Sequence, residues 1–266
     1  MIWFIFALLG LVFGSFFNVC IWRIPRGESI NYPPSHCPKC KRQIRVYDNI
    51  PLLSYILLKG RCRNCGQPIS PRYPVIEVIT ALLFVGSYAQ FGLHWQLVRV
   101  LVFIGFLIVL GGIDFDHGIL PVKLSLAGSI IGLLTALLPV FDFSITAALW
   151  GGLIGAGFVL FAWALWRFVL ARPFARLGVK NREGMGWGDL PFAGMIGIFA
   201  GPKGMTVGLA IAVFAGVFWG LLARAMGRFK KGQEMPFGPF LALGGIIGLF
   251  FGGGIADWYC RLVIGR

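Results

Sequence analysis

The chain has 266 residues, 58% hydrophobic and only 13% charged, with a mean hydropathy of +0.81. No water-soluble domain carries that balance, so the sequence reads as a polytopic membrane protein. The net charge of +14 would otherwise invite nucleic acid, but the basic residues lie between apolar runs, where the positive-inside bias puts them. That placement excludes nucleic acid and makes the lipid bilayer the medium.

The first apolar run, Met1 to Ile21, has no basic n-region and no A-x-A site, so it is read as a retained span over about Ile2 to Ile21 and not as a cleaved signal. Trp22-Arg23 closes it with an interfacial pair. A long polar loop follows, Arg23 to Tyr73, dense in arginine and lysine. It carries Cys37-Pro38-Lys39-Cys40 and Cys62-Arg63-Asn64-Cys65. Two thiolates separated by two residues can grip one tetrahedral ion, and two such pairs complete an S4 zinc site with no open position, which makes the zinc structural. Disulfides are the other reading of four cysteines; a basic loop belongs in the reducing cytoplasm, which argues against them. Cys20 and Cys260 stand in or near apolar sequence and read as small hydrophobes.

The second span covers about Tyr73 to Gln90, with Glu77 one turn in, either reaching the interface or facing a polar site. The third, about Leu97 to Ile113, delivers Asp114, Asp116 and His117 at its exit. The fourth and fifth cover about Pro121 to Val140 and Ile145 to Val169, and a second basic loop follows, Arg167 to Arg182. Gly184-Met185-Gly186-Trp187-Gly188-Asp189 then puts a carboxylate at the mouth of a short apolar run, Leu190 to Gly201. That sixth run is barely long enough to cross hydrocarbon. A seventh covers about Gly204 to Met226, a third basic cluster follows, and the eighth opens at Met235-Pro236-Phe237-Gly238-Pro239 and ends near Ala256.

With these eight spans, every basic residue except Arg99, Lys203, Arg261 and Arg266 falls on one side, which puts the termini outside and the basic loops in the cytoplasm. Asp114 and Asp189 then emerge at the same membrane face. Two carboxylates brought together there repel, so they share one proton. The ionised one can activate water while the protonated one polarises a carbonyl, as in an aspartic-protease dyad. Glycines 184, 186 and 188 would let an extended substrate backbone approach the acid; the plainer reading is that they pack helices closely.

These residues resemble the bacterial prepilin peptidases, or type IV leader peptidases, membrane aspartic proteases with a Gly-x-Gly-Asp signature, here Gly186-Trp187-Gly188-Asp189. The family's first aspartate lies seven residues before a proline, which selects Asp114 with Pro121 over Asp116. The resemblance continues through Phe13-Gly14-Ser15-Phe16-Phe17-Asn18-Val19, Arg23-Ile24-Pro25, the cysteine pairs, Asn49-Ile50-Pro51, Arg72 to Glu77 and Pro236-Phe237-Gly238-Pro239-Phe240. The chain departs from many members at Pro191, where they have lysine, and at Val122, where they have an acid. The resemblance implies cleavage of prepilin or type II secretion pseudopilin precursors after a short basic leader that ends in glycine before an apolar helix. It also implies N-methylation of the new terminus with S-adenosylmethionine, for which Asn18 and Glu77 are candidate contacts.

The expected organisation is an all-α transmembrane bundle of about eight spans in the bacterial inner membrane. The first span covers 1–22, a cytoplasmic tetra-cysteine domain 23–73, a membrane peptidase core 74–256 and a tail 257–266. A transporter would also use intramembrane acids and broken glycine-rich helices, and a zinc-stabilised scaffold would need no paired aspartates; no internal repeat favours the transporter.

Overall fold

The computed structural model describes residues 1–170, 186–227 and 236–264. Most of the second basic loop, Gly184 and the third basic cluster beyond Gly227 lie outside the described residues. All regular structure in those residues is helical, and six helices are long and apolar enough to cross a membrane. The chain divides into two compact units, Met1–Leu97 and Val98–Arg266.

In the first unit, α1 (Ile2–Arg23) and α3 (Arg72–Phe91) pack antiparallel. Both are apolar all round, as lipid-facing helices must be, so their pairing rests on close backbone approach and buried polar contacts. A Cβ on Gly10 would stand 2.4 Å from the Ala81 Cα, and one on Gly14 would stand 2.6 Å from the Glu77 Cα. Phe6 stacks on Tyr88 near one end, at 4.8 Å between centroids. Towards the other end, the Asn18 amide donates to the Tyr73 carbonyl at 3.0 Å. Two stretches that the sequence left far apart, around Gly14 and around Glu77, therefore face each other.

The intervening loop contains one short α-helix, α2 (Leu53–Leu57), two single 3-10 turns, Ile24–Arg26 and Val46–Asp48, and two cysteine knuckles of the same construction. Cys37 N–H donates to the Arg42 carbonyl at 3.0 Å, and Cys62 N–H donates to the Gln67 carbonyl at 2.8 Å. In both knuckles the fourth residue after the first cysteine is left-handed: Gly66 (φ 69°) in one and Lys41 (φ 59°) in the other. Arg63 ties the second knuckle to the preceding turn with a forked contact to Asp48, Nε at 2.8 Å and Nη2 at 2.7 Å.

The second unit holds α4 (Trp95–His117, of which the first residues belong to the other unit), α5 (Val122–Leu137), α6 (Ile145–Leu165), α7 (Asp189–Ala225) and α8 (Gly238–Ile264). At 16 residues, α5 falls short of the six. The length of α7 is deceptive. At Gly201 the backbone leaves helical geometry (φ 70°, ψ 179°), and Pro202 follows. Only glycine enters that conformation without a Cβ penalty. The neighbours show that the chain reverses there. Ile196 packs against Gly245 in the first limb, while in the second Gly204 meets Gly248, Gly208 meets Gly244 and Gly216 meets Phe237. The first limb, 189–200, therefore runs alongside α8 in the same direction, and the second, 202–225, returns. The sixth and seventh runs of the sequence are these two limbs, and the shortness of the sixth is real.

The first limb is the centre of the unit. A Cβ on Gly151 of α6 would lie 2.1 Å from the Gly197 carbonyl oxygen, and one on Gly128 of α5 would lie 2.3 Å from the Met195 sulfur. Phe103 of α4 stacks on Phe199 at 4.7 Å. Phe192, Met195, Ile196 and Phe199 are almost wholly buried with Phe103, Leu107 and Leu110. Lipid is as apolar as these side chains, so the cohesion comes from interlocking contact, which glycine makes possible by bringing helix backbones together. Helix α8 continues to Ile264, past the expected end near Ala256, and Asp257 there meets Lys203 at 2.6 Å.

Candidate active site and metal cluster

Asp114 lies in the last turn of α4, and Gly118 closes that helix with its N–H on the Asp114 carbonyl at 2.8 Å. The side chain turns inward and is 5% exposed, whereas Phe115 and Asp116 are exposed. Its Oδ2 accepts the Gly238 N–H at 2.8 Å, at the start of α8. Asp189 is the first residue of α7 and is 7% exposed; its Oδ2 accepts the Gly186 N–H at 2.9 Å. Each carboxylate is thus met by a backbone N–H at a helix N-terminus, where the helix dipole favours negative charge. Each commits one oxygen to that contact and keeps the other.

The segments that bear the two acids touch: a Cβ on Gly188 would stand 2.7 Å from both Cβ and O of Leu120. Leu120 immediately precedes the proline of the first motif, so the two motifs pack directly on one another. Gly186 is more open, since a Cβ there would meet Asp189 Oδ2 at 3.5 Å and Gly188 N at 4.0 Å, both in ordinary contact. It also lines an open apolar notch with Val159, Leu160, Trp163, Trp187 and Leu190.

Gly238 belongs to the Pro236-Phe237-Gly238-Pro239-Phe240 stretch, whose order alone assigns it no role. A Cβ at that position would fall 2.6 Å from Asp114 Oδ2, so the carboxylate rests directly on the glycine. Gly238→Ala is expected to insert normally yet push Asp114 off its N–H, lowering turnover by on the order of 10- to 100-fold, as small misplacements of reacting groups do. Turnover per inserted molecule measures this, and wild-type turnover would show that the contact is dispensable.

In the first unit the sulfurs of Cys37, Cys40, Cys62 and Cys65 all lie within 4.8 Å of one another, and those of Cys37 and Cys65 are 3.9 Å apart. Four sulfurs around one ion at ordinary zinc–sulfur distances would be separated by about 3.8 Å. All four are free thiols, so the cluster could hold a metal ion. Backbone N–H groups of Cys65 and Asn64 bring the Cys62 thiol down to about 7. At Cys65 the Gln67 N–H favours the thiolate, but desolvation and the crowding of Cys62, Cys40 and Cys37 outweigh it and push that thiol up to about 11. Four thiolates this close would repel one another, so the cluster can carry them together only with a cation among them.

Asn18 and Glu77 are also in this unit, both buried. The Asn18 amide spans to the Gly14 and Tyr73 carbonyls, while its Oδ1 is buried without a hydrogen-bond partner. Glu77 Oε2 accepts the Leu52 N–H at 2.7 Å, and Ser15 also hydrogen-bonds to this carboxylate. Glu77 therefore faces a polar interior and anchors the loop.

Helical throughout its described residues, with two buried carboxylates at helix ends in one unit and a four-thiol cluster in the other, the chain has the make-up of a multi-pass membrane enzyme. The family described as "Bacterial Peptidase A24 N-terminal domain" matches residues 8–91, and the "Type IV leader peptidase family" matches residues 101–221. The chain belongs to the type IV leader peptidase family. It is 36% identical to the prepilin leader peptidase/N-methyltransferase of Burkholderia pseudomallei (strain K96243), over 92% of this chain and 84% of that one. A protein of the same name from Bacillus subtilis (strain 168) is 33% identical, over 98% of this chain and 99% of its own length. One from Pseudomonas aeruginosa is 33% identical, over 96% and 92% respectively. No solved structure matches the chain. Neither the transporter nor the scaffold reading is favoured by these relatives.

Proposed function

We propose that this protein removes the leader from prepilin- or pseudopilin-type precursors at the cytoplasmic face of the bacterial inner membrane, with Asp114 and Asp189 as the catalytic dyad. What supports this reading is that Asp114 and Asp189 are both buried at helix ends, each with one oxygen on a glycine N–H, on segments that pack through Leu120 and Gly188. One shared proton leaves one carboxylate as base and the other as acid. The base takes a proton from water as its oxygen attacks the scissile carbonyl; the acid hydrogen-bonds the developing oxyanion. Collapse of the tetrahedral species breaks the C–N bond, and a carboxyl proton passes to the leaving amine. The cytoplasmic sidedness rests on the placement of basic residues, which also puts the cysteine loop there. Gly186 adds no side chain to the approach to Asp189, whereas Gly188 serves the close packing against Leu120.

In this reading Cys37, Cys40, Cys62 and Cys65 hold a structural zinc ion, which the sulfur spacing fits. The new N-terminus is then methylated. S-adenosylmethionine supplies the methyl group, and the unpartnered Asn18 Oδ1 and the nearby Glu77 are the residues we assign to orient it in the first unit.

The test is incubation of the purified protein in lipid with a peptide that joins a basic leader ending in glycine to an apolar helix. Mass spectrometry is expected to find a product that begins immediately after the glycine, heavier by one methyl group when the donor is present. An intact peptide would refute the peptidase reading; cleavage without methyl transfer would refute the second activity alone.

A further inference from the structure

We propose that Arg99 is a positioning residue for the reaction. Its guanidinium holds the far end of the helix that begins with Asp189, and so sets the register in which Asp114 meets that acid. The inference rests on the dyad reading above.

Arg99 lies near the start of α4, in an apolar helix, and is only 2% exposed. Its Nη2 donates to the Ile198 carbonyl and its Nη1 to the Phe199 carbonyl, both at 3.0 Å. Its Nε donates to Thr135 Oγ1 at 3.2 Å, and that hydroxyl donates to the Gly132 carbonyl at 2.8 Å. The guanidinium carbon sits 3.7 Å from the Phe143 ring centroid and 5.0 Å from that of Phe199. Burying a cation among apolar helices is costly unless it is fully engaged, and here every nitrogen has a neutral oxygen to address.

Those two carbonyls need a donor. In a continuing helix Ile198 would accept from residue 202, but Pro202 has no N–H. Phe199 would accept from Lys203, beyond the non-helical backbone of Gly201. The reversal that makes the first limb short thus orphans its last carbonyls, and a planar fork of charged donors, placed at the negative end of the helix dipole, satisfies both.

The consequence reaches the active site through two rigid rods. Helix α4 and the first limb run antiparallel: Arg99 meets Phe199 and Phe103 stacks on it at one end, while at the other Leu120, just beyond α4, packs on Gly188, just before Asp189. Arg99 and Asp114 are therefore opposite ends of one strut, about 22 Å apart at 1.5 Å per residue. Slippage of α4 past the limb by a single residue would carry Asp114 about 1.5 Å from its place. Interlocked apolar side chains resist sideways separation but specify axial register only loosely; a two-pronged hydrogen-bonded contact specifies it.

The test compares Arg99→Lys, Arg99→Met and Thr135→Val with wild type, using folded monodisperse protein in lipid and the leader peptide described above. Arg99→Lys keeps the charge but cannot fork, and Thr135→Val frees only the Nε side. Turnover is expected to fall on the order of 100-fold in Arg99→Met and 10-fold in Arg99→Lys, with KM within about twofold, because the dyad is misplaced while the substrate surface is kept. Thr135→Val should fall between Arg99→Lys and wild type. Wild-type turnover in folded Arg99→Lys and Arg99→Met, or a loss expressed in KM alone, would overturn the proposal. So would failure of all three to fold, which would make Arg99 a stability residue only. Asp189→Asn run in parallel separates the two ideas: if it is active, the dyad reading fails, whereas a dead Asp189→Asn beside fully active Arg99 variants removes only the positioning role.

Discussion

Asp189→Asn and Asp114→Asn are each expected to lose cleavage by on the order of 10³- to 10⁴-fold while remaining inserted in the membrane at wild-type levels. The amide keeps the shape of the side chain, and its oxygen can still accept the N–H of Gly186 or Gly238. It cannot serve as a base or share the proton, so the loss falls on chemistry and not on folding. Asp116→Asn should keep most of its activity, because that side chain is exposed beside the buried Asp114. Cleavage followed against pH should be bell-shaped, since two protonated carboxyls contain no base and two ionised ones contain no acid. The two limbs of that curve describe the pair and not either residue. Leader-peptide turnover normalised to inserted protein measures the effect. An active Asp189→Asn protein would end the dyad mechanism, and an inactive Asp116→Asn beside an active Asp114→Asn would move the role to the neighbouring acid.

Stripping the zinc ion proposed for the cysteine loop, by chelation or by Cys62→Ser, should unfold that loop while leaving α1 and α3 helical. The knuckles have little apolar interior of their own: much of the loop is exposed, and its regular structure amounts to short turns and α2. Structural zinc contributes about 10–16 kcal/mol in zinc-finger peptides, more than the remaining contacts of such a loop can replace. The forked Asp48–Arg63 pair, whose arginine is half-exposed, adds far less than the metal would. Hydrogen exchange should therefore rise to near-unprotected rates across 36–69, and trypsin should cut at Lys39, Arg42, Arg61 and Arg63 much faster than in the metal-loaded protein. Metal analysis that finds no zinc, with the four cysteines paired as disulfides, would overturn the expectation.

The membrane class, the apolar runs and the four-thiol cluster were legible in the sequence because each is written locally, in the hydropathy of a segment or in a spacing of two residues. The cysteine pairs could be recognised without knowing how the loop folds. Spacing alone could not separate Asp114 from Asp116, which needed the resemblance to Asp-x6-Pro; what distinguishes them physically is that one turns inward and the other outward. Glu77 was left between two roles, and the contact that bears on it is a single N–H from Leu52, twenty-five residues away in the chain. Arg99 looked like one of a few basic residues on the less basic side. Its partners are carbonyls a hundred residues distant, exposed by a reversal at Gly201 that hydropathy registers only as a weak sixth run.

The sequence by itself determined that the chain lives in lipid, that it is helical, which segments face the bilayer and which thiols can share an ion, because solvent transfer and short-range covalent geometry set those properties. Only the tertiary structure decided which helices touch, that residues 189–200 and 202–225 form a hairpin, that the Gly238 N–H meets Asp114, and that Arg99 holds the Ile198 and Phe199 carbonyls. In lipid, no hydrophobic preference selects one helix partner over another. Pairing is settled by where glycines let backbones meet and where buried polar groups find complements, and those are properties of three-dimensional contact between distant residues.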